Sequence, residues 1–189
     1  SAPGGKATHI AQLMQNSGTI IAGDVHEHKL KLIDDAAERL GIRIIKSELR
    51  DASIPNRDHE RAFDRVLLDA PCTGLGIVRR KPDIKWARQT KDIKGITALQ
   101  KKLLQSVSEA VKPGGVLVYS TCTIFPEENE DIIESFLENN SDFMADDIKP
   151  FLPAALTKHA KHCSLQLYPN RDGIDGFFMA RIKRNIKKP

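Results

Sequence analysis

The chain is poor in cysteine: three in 189 residues, at irregular spacing. That excludes a disulfide framework and favours an intracellular, reducing compartment, so a cytoplasmic location is expected. No apolar run approaches the roughly 20 residues that span a bilayer, and no basic, apolar and small-residue zones mark a signal peptide, so no membrane association is expected. No internal repeat or low-complexity tract occurs, which removes solenoids and linker-type disorder. Neither common nucleotide fingerprint is present. The glycine cluster Ala2-Pro3-Gly4-Gly5-Lys6 lacks the first glycine of a Walker loop and continues into Ala7, and it is not Gly-x-Gly-x-x-Gly. An initiator methionine is missing, as is the strand that should precede such a loop. The sequence therefore reads as a fragment cut just before its first motif, without the usually central first strand of its sheet. At a net charge of +4, neither sign dominates.

What is present alternates. Helices are expected over Lys6 to Gln15 (with Ile10, Leu13 and Met14 on one face), His26 to Leu40 (stopped by Gly41), Lys91 to Val111 and Glu127 to Glu138. Strands are expected over Thr19 to Gly23, Arg43 to Lys46, Asp64 to Leu68, Val116 to Tyr119 and Gly176 to Lys183, and residues 140–175 read as mostly irregular. This order implies an α/β fold with a doubly wound, mostly parallel sheet. The length suits one domain over residues 1–189.

Two cysteines stand out on that scheme. Cys72 in Asp69-Ala-Pro-Cys72-Thr-Gly follows the apolar run Val66-Leu67-Leu68, and Cys122 in Ser120-Thr-Cys122-Thr follows Val116-Leu-Val-Tyr119. If both runs lie in one parallel sheet, both thiols emerge at its carboxyl edge, where ligands gather in open α/β folds. Two thiols beside the Asp69 carboxylate suggest covalent catalysis. A buried small apolar role for Cys122 is the competing reading.

Other candidates carry two readings each. Ala2 to Lys6 opens a helix whose N–H groups favour an anion, yet it serves equally as a structural turn. Asp24, about 20 residues on, stands where α/β nucleotide binders hold a ribose, or caps the helix from His26. Asp51 can accept from an adenine amino group or be an ordinary loop carboxylate. Arg79, Arg80, Lys81, Lys85, Arg88, Lys91 and Lys94 form a polyanion-facing surface or a solvated face; Arg181, Lys183, Arg184, Lys187 and Lys188 read as a solvated tail. Trp86 can stack on a base or anchor its loop to the core. His159, His162 and Cys163 are too few for a metal site, and no metal is expected.

These residues, in this order, resemble the RNA cytosine-5 methyltransferases that use S-adenosylmethionine, most of all the bacterial Sun (Fmu) type acting on small-subunit ribosomal RNA. The matching stretches are Ala2-Pro-Gly-Gly-Lys6, Phe63-Asp-Arg-Val-Leu-Leu-Asp-Ala-Pro-Cys-Thr-Gly-Leu-Gly76, Arg79-Arg-Lys-Pro-Asp-Ile-Lys-Trp86, Lys112-Pro-Gly-Gly115, Tyr119-Ser-Thr-Cys-Thr123 and Asp175-Gly-Phe-Phe178. The resemblance implies a Rossmann-like methyltransferase sheet with S-adenosylmethionine as cofactor. Ala2, Pro3, Gly4, Gly5 and Lys6 would cradle its methionine end, Asp24 would hold the ribose hydroxyls and Asp51 would meet the adenine. Asp69 would lie between cofactor and target base, Cys122 would be the nucleophile and Cys72 would assist product release. Ala7 departs from the family, which often has Thr there, and the family's N-terminal RNA-binding region is absent. The implied substrate is ribosomal RNA presenting a single-stranded or flipped cytosine, with no obligate protein partner.

The chemistry explains why thiols are needed. Carbon-5 of cytosine is a poor nucleophile until a thiolate adds to carbon-6, and only Cys joins high nucleophilicity to easy departure. A protonated Asp69 would stabilise N3 if burial raises its pKa. Two other classes remain: an NAD-type reductase on a similar sheet, disfavoured by the glycine pattern, and a non-catalytic RNA-binding module. The order of the two thiols comes only from the resemblance, because in DNA cytosine-5 methyltransferases the Pro-Cys thiol attacks instead.

Overall fold

The computed structural model describes residues 1–87 and 90–186, so Arg88, Lys187 and Lys188 of the two basic clusters lie outside the described residues. Its packing separates two compact units, Ser1–Ile54 and Pro55–Pro189.

The first unit runs α1 (Gly5–Leu13), β1 (Ile20–Asp24), α2 (Glu27–Arg39) and β2 (Ile45–Leu49). β1 and β2 pair in parallel, from Ile20 opposite Ile45 to Asp24 opposite Leu49. The core is small: Ala7, Ala22 and Ile33, with Ala2, Leu30 and Ile45 packed against it. α2 ends as its sequence predicts. Gly41 takes a φ of +66°, while its N–H reaches the Glu38 carbonyl and that of Ile42 the Ala37 carbonyl, a Schellman motif. α1 corrects the expected face. Its buried residues are Ala7, Thr8 and Ala11, whereas Leu13 is 72% exposed. Small side chains let the segment approach α2 closely; a Cβ on Gly4 would lie 3.3 Å from the Cα of Ile33.

The second unit contains β3 (Phe63–Asp69), α3 (Ile84–Ala87), α4 (Thr90–Ser108), β4 (Val111–Thr121), α5 (Glu130–Asn139), β5 (Phe143–Ala145), α6 (Ala154–Thr157), β6 (Ser164–Leu167), α7 (Pro169–Asp172) and β7 (Phe177–Arg184). Its sheet has the order β3-β4-β7-β5, with β6 also on β7. β3 and β4 are parallel, while β7 runs antiparallel to β4, β5 and β6. β4 is buried along most of its length, as a near-continuous apolar run requires. Tyr119 from β4 meets Phe178 from β7 edge to face at 6.3 Å, and Leu104, Leu117, Ile132 and Ile182 complete a closed core. The chain is thus α/β: the first unit holds one parallel pair, and the second holds another with an antiparallel end. Among the described residues no helix is long and apolar enough to cross a membrane.

Two expectations shift. The helix expected to reach Val111 stops at Ser108, and Val111 already pairs with Phe63. The next register pair is Arg65 with Val116, so Lys112-Pro113-Gly114-Gly115 bulges out of β4. Proline cannot donate to the ladder and Gly114 supplies a φ of +77°, which is why the strand continues past residues that read as a stop. The stretch 140–175, read as irregular, holds β5 and β6. All four residues of β6 are buried, but its Ser-Leu-Gln-Leu sequence carries a weak strand signal.

Candidate active site

Parallel pairing places Asp69, the last residue of β3, opposite Ser120 of β4. The segments that follow therefore leave the sheet at one carboxyl edge. There Cys72 Sγ and Cys122 Sγ lie 3.3 Å apart with no disulfide, both half-buried. The hydrogen bond to Cys122, reinforced by burial, pushes the Cys72 thiol far above the ordinary range. One proton is shared between the two sulfurs, and either thiol can be its donor. Asp69 Oδ1 accepts from the Ser120 hydroxyl at 2.8 Å. The Asp69 side chain is exposed, so the burial invoked to favour its neutral form is not met in this structure.

Backbone packing fixes the cysteine loops. Gly76 donates its N–H to the Cys122 carbonyl at 2.9 Å and accepts from the Gly176 N–H at 2.8 Å. A Cβ on Gly76 would fall among backbone atoms of Gly176 and Cys122, so this three-segment contact admits only glycine. Below the thiols lies a buried polar network. Glu128 accepts from the Thr73 N–H and hydroxyl, the Thr123 hydroxyl and the Gln100 amide. Asn129 accepts from Thr121 and donates to Gln166 and the Thr123 carbonyl. The sequence reading missed Gly76, Gln100, Glu128, Asn129 and Gln166 as site-building residues. The run Glu127-Glu128-Asn129 reads like an exposed helix start, although a 3-10 turn at Pro126–Glu128 turns Glu128 inward.

In the first unit the structure joins Ala2 to Lys6 with Asp24. Asp24 Oδ2 accepts from the Ala2 N–H at 3.2 Å, and Oδ1 accepts from the His26 N–H at 3.1 Å. Burial pushes its carboxyl up, but the N–H groups of His26 and Ala2 pull it well below the ordinary carboxylate range. Asp24 is not the helix cap: α2 is capped at His26, two residues further on. Its carboxylate instead ties the glycine loop to the strand end, and nothing stands within 4 Å of a Cβ built on Gly5. An anionic residue at a strand end, a glycine loop opening on space and the N-terminus of α1 form a fitting cradle for a nucleoside carrying an amino-acid arm. Asp51 lies two residues past Leu49, the register partner of Asp24, and accepts from the Ser53 N–H at 2.8 Å.

The basic stretch after Cys72 is partly docked. Arg79 and Arg80 both pair with Asp175, Arg80 at 2.6 Å, while their side chains stay 46% and 70% exposed. Trp86 is 80% exposed with the Lys85 ammonium 5.2 Å above its ring, which rules out the anchoring role. His159 lies 3.6 Å from Asp172, and Cys163 is half-buried with its thiol pushed up by burial. Among the described residues no three His, Cys, Asp or Glu side chains are placed to share a metal ion.

The family model described as 16S rRNA methyltransferase RsmB/F matches residues 1–183. The probable ribosomal RNA small subunit methyltransferase B of Bacillus subtilis (strain 168) is 41% identical over 97% of this chain and 42% of its own length. The ribosomal RNA small subunit methyltransferase B of Pasteurella multocida (strain Pm70) is 38% identical over 98% and 41%. The crystal structure of PH0851 superposes with a TM-score of 0.89 at 38% identity, over 97% of this chain and 41% of that one. NSun6 from Pyrococcus horikoshii, solved with SFG, gives a TM-score of 0.80 at 33% identity, over 100% and 47%. The chain spans about two-fifths of the length of the curated relatives it matches.

Proposed function

Because this chain belongs to the RsmB/F family of 16S rRNA methyltransferases, we propose that residues 1–189 form the catalytic domain of a cytoplasmic enzyme that methylates carbon-5 of a cytosine in small-subunit ribosomal RNA. The observation that carries the reading is the pair of thiols 3.3 Å apart at the carboxyl ends of adjacent parallel strands. A reductase or a passive RNA-binding module has no use for such a pair.

In the first unit, Ala2 to Lys6 and the α1 N-terminus hold the amino-acid end of S-adenosylmethionine, Asp24 takes the ribose hydroxyls and Asp51 the adenine. Bound there, the cofactor supplies an electrophilic methyl group on a sulfonium. In the second unit, the Cys122 thiolate adds to carbon-6 of a cytosine drawn out of any stack, forming a C–S bond and making carbon-5 nucleophilic. Asp69, exposed in the free chain and desolvated once a base covers it, donates in its protonated form to N3, where negative charge develops in the ring. After carbon-5 is alkylated it gives its proton to solvent water, the electron pair of that C–H bond forms the ring double bond as the C–S bond breaks, and Cys72 protonates the departing Cys122 sulfur and is itself re-protonated from solvent. General acid assistance of this kind contributes about 10²–10⁴ in rate.

The test is a denaturing gel with radiolabelled RNA and S-adenosylmethionine. Cys122→Ala should lose turnover and form no adduct. Cys72→Ala should methylate once and remain trapped as an adduct stable to denaturation. An adduct from Cys122→Ala and none from Cys72→Ala would reverse the two roles. Turnover by both mutants without an adduct would remove covalent catalysis.

A further inference from the structure

We propose that Glu128 is a positioning residue that clamps the two cysteine loops and sets the distance between their sulfurs, so that the proton of Cys72 is within reach of Cys122. The proposal deepens the covalent reading above and rests on it for its catalytic consequence, though not for its geometry.

Glu128 is fully buried, at 0% exposure. Its Oε2 accepts from the Thr73 N–H at 2.9 Å and from Gln100 Nε2 at 3.1 Å; its Oε1 accepts from the Thr73 hydroxyl at 2.6 Å and the Thr123 hydroxyl at 3.0 Å. Thr73 follows Cys72 and Thr123 follows Cys122, and the same Gln100 amide also donates to the carbonyl of Pro71, which precedes Cys72, at 2.9 Å. One carboxylate thus holds both sides of the Cys72 loop and the near side of the Cys122 loop. The two threonine hydroxyls are 2.9 Å from each other, so the clamp closes between the residues that follow the two cysteines. Its main chain is tied as well, since the buried Tyr119 hydroxyl donates to the Glu128 carbonyl at 2.7 Å.

Chemistry explains why a carboxylate stands here. A carboxylate is acceptor-only with about four lone-pair sites, and four donors converge on it. Burying an anion among neutral donors is costly, and a neutral packed residue would serve the fold at less expense. The gain is that four bonds to a charged acceptor are stiffer than the neutral alternatives. Glutamine has the same shape but turns an N–H₂ toward groups that are themselves donors, so Glu128→Gln should loosen the clamp without opening a cavity.

Phenylarsine oxide measures the sulfur separation without any methyl transfer. Its trivalent arsenic exchanges one oxygen for two thiolates and releases one water, with no change of oxidation state, and it closes fast only on sulfurs already adjacent. The unaltered chain should take one arsenical and lose iodoacetamide labelling at Cys72 and Cys122 while Cys163 labels as before. Glu128→Gln should slow capture at least about tenfold, the scale of one lost charge-assisted hydrogen bond. Thr123→Val, which removes a single hydroxyl, should slow it less. With RNA and S-adenosylmethionine, Glu128→Gln should lower kcat, leave KM for RNA unchanged, and accumulate adduct as Cys72→Ala does. Capture at the original rate in a folded Glu128→Gln would overturn the clamp. Should that variant fail to fold, unchanged capture in Thr123→Val would overturn it instead. Slowed capture with an undiminished kcat would remove the link to proton delivery. Absence of cytosine methylation by the unaltered chain would defeat the proposed function alone, leaving the arsenical rates to judge the clamp.

Discussion

Replacing Gly76 by alanine is the most direct probe of how the site is assembled. The added Cβ would fall 2.2 Å from the Gly176 carbonyl oxygen, 2.7 Å from its carbon and 2.8 Å from the Cys122 carbonyl oxygen. All three are backbone atoms held in the sheet or its loops, so no flexible side chain can move aside. The segment must retreat, stretching the Gly76 N–H bond to Cys122 and the Gly176 N–H bond to Gly76. Overpacking costs about 1–3 kcal/mol, and weakening two backbone hydrogen bonds adds about 1 kcal/mol for each. A loss of roughly 3–5 kcal/mol follows, which lowers the Tm by about 6–20 °C in a domain of this size. Urea and thermal unfolding followed by circular dichroism give both values. Gly95→Ala is the internal control, because Gly95 lies in α4 with nothing within 4 Å of an added Cβ. It should stabilise by about 0.5–1 kcal/mol. If Gly76→Ala unfolds within about 0.5 kcal/mol of the unaltered chain, the three-segment contact does not hold the Cys122 loop and the account of the site's rigidity is wrong.

Asp24 links cofactor binding to acid stability. Its carboxyl is held below its ordinary 3.8 in the folded chain, so the stability it contributes is present above pH 3.8 and is lost as pH falls below that value; Asp24→Asn should flatten that part of the acid unfolding curve, and an unchanged curve would refute the assignment. Calorimetric titration of Asp24→Ala with S-adenosylmethionine should show affinity reduced about 10- to 100-fold, the value of one charge-assisted hydrogen bond. Trp86→Ala separates binding from folding: with the ring 80% exposed, unfolding should shift by less than about 0.5 kcal/mol, while RNA affinity drops by about 1–3 kcal/mol if a base stacks there. A drop in stability without a loss of RNA affinity would mean that the ring serves the fold.

The alternation of elements was legible because it rests on local chemistry. The apolar runs Val66-Leu67-Leu68 and Val116-Leu-Val-Tyr119 become strands, the second buried along most of its length and the first with Leu67 still 42% exposed, and Gly41 stops α2 because its positive φ costs glycine little. The cysteine motifs were legible for a related reason: Asp69-Ala-Pro-Cys72 and Ser120-Thr-Cys122 each follow a strand, so a parallel pairing had to bring them to one edge. The sequence alone left other matters open. It did not say that β4 continues through Lys112 to Gly115, since a bulge depends on the neighbour against which the strand is measured. It did not reveal β6, whose four residues are buried by their surroundings. Nor did it separate an exposed Trp86 from an anchoring one, or a capping Asp24 from a loop-binding one, because those choices are made by distances between segments far apart in the chain. Glu128 is the sharpest case. In sequence it is one acid in the run Glu127-Glu128-Asn129-Glu130, with every mark of a solvated helix start. Only the fold turns it inward to meet Thr73, 55 residues away, because hydrogen-bond partners are chosen by tertiary proximity and leave no periodic trace in the chain.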